Sequence, residues 1–158
     1  MLHVEDRLAD AVQDLAAARE LSEVMKIART SARDLTGADG VTFVLRDGDR
    51  CYYADENAIA PLWKGKRFPM SQCISGWVML NAQPVAIADI YDDPRLLHAA
   101  YRPTFVKSLA MMPVRDRDPI AAIGAYWAHR HEATDAELRV LKVLADACAL
   151  ALARASGV

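Results

Sequence analysis

Lys107-Ser-Leu-Ala-Met-Met-Pro-Val114, then the charged turn Arg115-Asp-Arg-Asp118, then Pro119-Ile-Ala-Ala-Ile-Gly-Ala-Tyr-Trp127, is the stretch on which the fold turns. Each outer segment is a short apolar run bounded by turn signals, the pattern of a strand in a sheet interior. Leu109 and Met111 point one way and Ala110 and Met112 the other; Ile123 and Ala125 oppose Gly124 and Tyr126. A sheet centre that is apolar on both faces needs two covers. Helices at the chain ends can supply one. Residues 56–105 must supply the other, and a pocket between that segment and the sheet is the expected place for a ligand.

Toward the C-terminus, Thr134-Asp-Ala-Glu137 is a capping box that opens a long helix. Leu138, Leu141, Ala145, Cys148 and Leu152 make one apolar stripe, and Val140, Leu144, Ala147 and Ala151 a second beside it. One stripe can face the sheet and the other a partner helix, including one from a second subunit. Toward the N-terminus, residues 3–20 read as a helix with a narrow seam of Val4, Leu8, Ala11 or Val12, and Leu15, closer to a coiled-coil stripe than to a globular face. Ser22 is a candidate N-cap for a second helix, with Val24, Ile27 or Ala28, Ser31 and Leu35 inward and Gly37 as its C-terminal cap. The two helices can also run on as one, bent near Leu21.

Between the ends, residues 41–46 and 50–54 form a hairpin about Asp47-Gly48-Asp49. Residues 56–70 read as irregular. Ser71 is placed to cap a short helix reaching Leu80, with Cys73, Ile74, Trp77 and Val78 inward. Residues 85–88 form a short strand, and Asp93-Pro94 opens a helix to about Ala100.

The chain has 158 residues, enough for one domain with a sizeable core. A net charge of −2 argues against non-specific nucleic-acid binding. No apolar run approaches the roughly 20 residues a membrane-spanning helix needs, and the first 20 residues are neither a signal nor a transit peptide. A cytoplasmic location is expected. Cys51, Cys73 and Cys148 are far apart and odd in number, and read as reduced, partly buried thiols.

The order helix, hairpin, long crossover with a short helix, two buried strands and long helix resembles a GAF domain, the small-molecule-sensing module of signalling proteins. The pieces that carry the resemblance are Ser75-Gly-Trp-Val78 after Cys73, Val85-Ala-Ile-Ala-Asp-Ile-Tyr-Asp-Asp-Pro94, Ser108-Leu-Ala-Met-Met-Pro-Val114, Ile123-Gly-Ala-Tyr-Trp127, and the ending that runs from Thr134 through Leu141. Its style is similar to that of GAF domains that precede kinase modules in bacterial sensor histidine kinases. The resemblance implies an α+β fold, with a central antiparallel sheet, the N- and C-terminal helices on one face and a crossover with a pocket on the other. It implies a signalling or dimerisation helix over residues 1–20 and the GAF domain over 21–158. The expected role is a non-catalytic regulatory module that binds a small molecule, dimerises through its terminal helices, or both, and serves a downstream kinase or other output domain. Two alternatives remain: a dimerisation module without a ligand, and a cysteine redox enzyme similar to the GAF-like free methionine sulfoxide reductases.

The expected pocket residues are Trp63, Asp89, Tyr91, Arg102, Phe105, Met111 and Tyr126. Asp89 follows the strand in a position that resembles that of the pocket-lining aspartate of phytochrome-type GAF domains, whereas Asp93 reads as a helix cap and Asp92 as solvated. Tyr126 and Trp127 point to opposite faces, so only one can face a pocket. Arg102 can clamp an anion or form a surface ion pair. The expected dimer residues are Leu8, Val12, Leu15, Leu144 and Ala151. The identity of any cofactor stays open. Where bilin-binding relatives carry a cysteine this chain has Leu96-Leu97-His98, so a covalent bilin is not expected. His129 and His131 share a strand face but lack a third metal ligand. Cys73 is expected on an apolar helix face, where thiols are inert, and the reductase pattern asks for further cysteines in the crossover. Lys64-Gly-Lys-Arg67 reads as a solvated loop.

Overall fold

The computed structural model describes residues 3–155; the first two and last three positions of the two expected segments lie outside them. Five helices and six strands follow the order α1 (Val4–Ala17), α2 (Leu21–Thr36), β1 (Gly40–Asp47), β2 (Arg50–Ala58), β3 (Arg67–Pro69), α3 (Ile74–Asn81), β4 (Val85–Ile87), α4 (His98–Tyr101), β5 (Ser108–Val114), β6 (Ala121–Trp127) and α5 (Asp135–Ala155). The strands form one sheet in the order β3-β2-β1-β6-β5-β4, antiparallel throughout. β5 and β6 are buried along their whole length, as their two-sided apolar sequence requires. The helices α1, α2 and α5 cover one face. The crossover from β3 to α4 covers the other.

Two cores result. Val41, Phe43, Ala110, Met112, Ile123, Ala125 and Trp127 face the helix layer. Val44, Cys51, Tyr53, Leu109, Met111, Ala122 and Tyr126 face the crossover. The separation of Tyr126 from Trp127 follows from the pleat.

The terminal helices are two at the N-terminus, not one. Ala18 turns extended (φ −67°, ψ 138°) and Glu20 stays so, which breaks the chain between α1 and α2. Ser22 is therefore not an N-cap: the helix opens at Leu21 after Glu20, and no side chain caps it. The buried face of α2 is Val24, Ala28, Ala32 and Thr36, with Ile27, Ser31 and Leu35 displaced to its half-buried flanks. Gly37 closes the helix in the left-handed region (φ 70°), its N–H bonding Arg33 O. The capping box of α5 forms as read: Glu137 N donates to Thr134 Oγ1 at 3.1 Å, and Thr134 N to Glu137 Oε1 at 2.8 Å.

Both stripes of α5 are used inside the chain. Val140, Leu141, Leu144, Ala145, Cys148, Ala151 and Leu152 are all buried, and so are Leu8, Ala11 and Leu15 of α1. Arg139 pairs with Glu5 near the start of both helices. Arg154 donates at 2.9 Å to the carbonyls of Leu15 and Ala16 near both ends. α1 and α5 therefore run side by side in the same direction, and Arg154 satisfies carbonyls that α1's C-terminus would leave open. Four of the expected dimer residues, Leu8, Leu15, Leu144 and Ala151, are consumed by this packing. Val12 is half-buried, and Leu150, which sequence reading passed over, is 68% exposed on the face of α5 away from the core.

Candidate functional site

The crossover side is built around a β-bulge. β1 pairs Phe43 with Asp55 but Val44 with Tyr53, so Ala54 is an extra residue in β2. A bulge resets the pleat beyond it. Tyr53 lies in the crossover core, while Asp55 meets Arg29 of α2 at 2.8 Å. Glu56 then gathers the loop that follows: its carboxylate accepts from the backbone N–H groups of Leu62 (2.9 Å), Trp63 (3.0 Å) and Lys64 (2.9 Å). This seats Trp63 under the crossover, where Trp63 Nε1 donates to Ala100 O at 3.0 Å. Glu56 went unmarked in the sequence, where nothing separates it from any other acidic strand residue.

Trp63 is the hub of an aromatic cluster. It meets Tyr53, Tyr101 and Tyr126 edge-on, with centroids 5.4, 4.8 and 5.5 Å away, and Phe68 meets Tyr53 at 5.6 Å. Edge-to-face contacts at such distances are favourable and fill space well. Tyr126 Oη lies 2.9 Å from Thr42 Oγ1, both fully buried. Gly124 makes that contact possible: a Cβ there would stand 2.6 Å from Tyr126 Oη and 2.9 Å from Thr42 Oγ1. Burial pushes the phenols of Tyr53, Tyr101 and Tyr126 up, with the neighbouring phenols reinforcing the shift at Tyr53 and Tyr101.

What remains open among these rings is a cavity of about 10 Å³, lined by Tyr53, Trp63, Phe68, Cys73, Leu97, Ala100 and Tyr101. That is room for about one water. Of the expected pocket residues, Trp63, Met111 and Tyr126 are buried in this core and Phe105 packs at its edge. Asp89, Tyr91 and Arg102 are not brought to it. Asp89 caps a 3-10 turn, accepting from Tyr91 N at 3.0 Å. Tyr91 is exposed and rests against His98. Arg102 is exposed at the end of α4.

Local chemistry explains the other departures. Asp93 does not cap a helix; it accepts from Arg95 N and grips the Arg95 guanidinium, which also lies 4.5 Å over Trp77. The Arg95 hydrogen bond holds the Asp93 carboxyl below the usual range. The helix consequently starts later, at His98, whose Nε2 bonds Asp93 O at 2.8 Å. Trp77 is half-buried, packed against the crossover core with Arg95 over its ring. His129 and His131 follow β6 instead of lying in it, and His131 Nε2 sits 2.7 Å from Glu137 Oε1. Arg67 pairs with Asp47 at 2.9 Å and covers Tyr52, and Lys64 pairs with Asp55 at 3.3 Å. Ser71 lies in a 3-10 turn, Met70–Gln72, and Cys73 takes the N-cap position of α3.

That placement puts Cys73 Sγ 2.9 Å from Cys51 Sγ, a neighbour that sequence reading set apart from it. Ser75 Oγ donates to Cys73 Sγ at 3.4 Å and lies 3.1 Å from Tyr53 Oη. The hydrogen bond from Cys51 lowers the Cys73 thiol to about 7, against burial and with help from Ser75 and the Gly76 N–H. The same contact, with burial, pushes Cys51 up. Cys148, alone in the helix-side core, is pushed up to about 12 by burial. Among the described residues, no three His, Cys, Asp or Glu side chains gather as a metal site, and no helix is long and apolar enough to cross a membrane.

A larger hollow of about 510 Å³ lies on the helix side, bordered by Leu21, Leu45, Arg115, Ile120, Ala149 and Leu152. None of the expected pocket residues borders it.

Comparison with known proteins agrees with this architecture. A sequence model described as the GAF domain matches residues 18–153, a stretch that begins after α1. No curated protein matches the chain in sequence. Among solved structures, the GAF domain of an Acinetobacter phosphoenolpyruvate-protein phosphotransferase superposes with a TM-score of 0.84 at 17% identity, covering 99% of this chain and 98% of that one. A free methionine-R-sulfoxide reductase from Neisseria meningitidis, in complex with its substrate, gives 0.83 at 16% identity, covering 98% and 90%. A phycocyanobilin-bound GAF domain from a cyanobacterial phytochrome gives 0.78 at 17%, covering 98% and 96%. Identities this low establish the shared fold.

Proposed function

The chain belongs to the GAF domain family, and from that premise we propose that it is a non-catalytic regulatory module, acting in the cytoplasm, that passes a signal through its terminal helices to an output domain such as a histidine kinase. The observation that carries this reading is the parallel packing of α1 against α5 with Leu150 left open on the outer face. Two copies meeting along that face through Leu150 would place four helices together. A change in one domain would then alter the helix arrangement presented to the output, and a ligand acts only through its different affinity for the two arrangements. Residues 1–20 serve here as the signalling helix and residues 21–158 as the domain that drives it.

A small-molecule ligand would enter on the crossover side. Trp63 lines the cavity there, with Met111, Tyr126 and Phe105 in the core around it; Asp89, Tyr91 and Arg102, which lie away from the cavity, would meet a ligand only after the crossover opened. With only about 10 Å³ free, the ligand must displace α4 and break the Trp63–Ala100 bond to make room. The small size of the cavity also favours the second reading, a dimerisation module without a ligand.

Native mass spectrometry beside a denatured control tests both. The expected spectrum is a dimer, and a mass excess lost on denaturation identifies a ligand. Leu150→Asp is expected to yield monomer with an unchanged melting temperature. A monomer at high micromolar concentration in the parent protein would overturn the dimer reading; a dimer with no excess under any tested ligand would leave the structural module as the better account.

A further inference from the structure

Cys51 and Cys73 are 22 residues apart, and the fold brings their sulfurs to 2.9 Å. Cys51 lies on β2 opposite Phe68 of β3, and the chain from Phe68 needs only the 3-10 turn Met70–Gln72 to bring Cys73 back across from it. Both thiols are free, and closing to a bond of about 2.05 Å asks for a movement of roughly 0.9 Å. Their surroundings differ. Cys51 is fully buried, whereas Cys73 borders the small aromatic cavity. Cys73 also sits at the N-terminus of the eight-residue α3, beside the Ser75 hydroxyl, which in turn meets Tyr53 Oη.

We propose that Cys51 and Cys73 are a peroxide-reactive thiol pair, in which Cys73 takes the oxidant through the cavity and Cys51 closes an intrachain disulfide. The Cys73 thiolate attacks one oxygen of hydrogen peroxide. The S–O bond forms, the O–O bond breaks, and the departing hydroxide takes up a proton equivalent to the one the thiol released, giving water. The Cys51 thiol then attacks the Cys73 sulfenic acid. The S–S bond forms, the S–O bond breaks, and the Cys51 proton leaves with the oxygen as a second water. Two thiols are oxidised, one peroxide is reduced to two waters, and a small dithiol reductant reverses the change.

The asymmetry of the pair assigns the roles. Cys73 has the Ser75 hydroxyl, the Gly76 N–H and the Cys51 thiol to stabilise its thiolate, which is what an attacking sulfur needs. Cys51 stays protonated in its burial and supplies the proton that leaves as water. As a neutral thiol Cys73 can instead give its hydrogen to Pro69 O at 3.5 Å, a weaker contact that the thiolate forgoes. A cavity of about 10 Å³ admits an oxidant little larger than water and shuts out bulky hydroperoxides. The disulfide would tie β2 to the start of α3. The inference stands on the thiol geometry and not on the ligand reading above.

The test uses the full chain carrying Cys148→Ser, so that only the two thiols report. The protein is exposed to equimolar hydrogen peroxide, quenched with catalase, and examined by intact mass and by thiol count after denaturation. Loss of both thiols is expected, with a mass lower by two hydrogens, no covalent dimer, and full recovery with dithiothreitol. In Cys51→Ser, dimedone present during denaturation is expected to trap a sulfenic acid at Cys73. In Cys73→Ser, oxidation is expected to be at least about tenfold slower. Circular dichroism checks that each variant folds, with the alanine variants as replacements, and the Cys148→Ser result needs neither. Two thiols still free after exposure, oxidation of Cys73→Ser as fast as that of Cys51→Ser, or a disulfide found only between chains would each overturn the proposal.

Discussion

Removing one oxygen from Tyr126 is the most direct probe of the crossover core. Tyr126 Oη and Thr42 Oγ1 are fully buried and 2.9 Å apart, within hydrogen-bond distance of each other. Tyr126→Phe leaves the Thr42 hydroxyl without it, and an unsatisfied buried polar group costs about 1–3 kcal/mol. Thr42→Val strands the Tyr126 hydroxyl at a similar cost. The double variant removes both polar groups and strands neither, so it should cost less than the two single costs added. The coupling between the sites is expected to be about 1–2 kcal/mol, inside the range seen for residues in contact. For a domain of this size each kcal/mol moves the melting temperature by about 2–4 °C. Tyr126→Phe should thus melt about 2–12 °C lower. Urea denaturation of the four proteins, with the slope unchanged across them, measures the cycle. If the two single costs simply add in the double variant, the hydroxyls do not bond each other, and the picture of a closed aromatic core over β6 fails with them.

Three further outcomes are expected. Gly76→Ala should abolish or severely impair folding, because a Cβ there would stand 2.0 Å from Met70 O, a backbone atom that cannot swing away; a loss under about 1 kcal/mol in urea would contradict that packing. Ala82 ends α3 in the left-handed region at φ 50°, so Ala82→Gly should stabilise by roughly 0.5–1 kcal/mol, and a lower urea midpoint would refute the assignment. The buried phenols of Tyr53, Tyr101 and Tyr126 have folded pKa values above their unfolded value near 10. The unfolded chain releases these protons first, so their contribution to stability is complete below about pH 9 and declines as pH rises past 10; a flat urea midpoint from pH 7 to 11, or phenolate absorbance from these three before unfolding, would refute it.

How far the sequence could be read depended on whether the deciding interaction was local. β5 and β6 were legible because two-sided burial leaves both pleat faces apolar, and α5 because its capping box lies within four residues. The α2 face was read in part: Val24 and the alternative Ala28 are buried, but Ser31 and Leu35 were named where Ala32 and Thr36 face the core, because a small side chain gives a weak signal. The helix expected at Asp93-Pro94 gave way to an equally local competitor, Arg95, which occupies the Asp93 carboxylate.

The site was harder because its parts meet only through sheet register. Trp63 and Tyr126 were named from composition, but the bulge at Ala54 and the loop anchor Glu56, which decide where Trp63 sits, have no periodic signature. The same holds for Cys51 and Cys73. Their encounter needs β2 to pair with β3, and β3 is three residues long inside a stretch that reads as irregular. A spacing rule for cysteines could not find it. Asp89, chosen by resemblance, is spent on capping a 3-10 turn and Arg102, chosen by type, is left at the surface, while the polar groups that the fold does bring together, two thiols, a serine and a tyrosine, were not connected to one another. Where a crossover is built of short elements, the chemistry that the fold assembles is therefore to be sought in strand partners across the register and not in motifs along the chain.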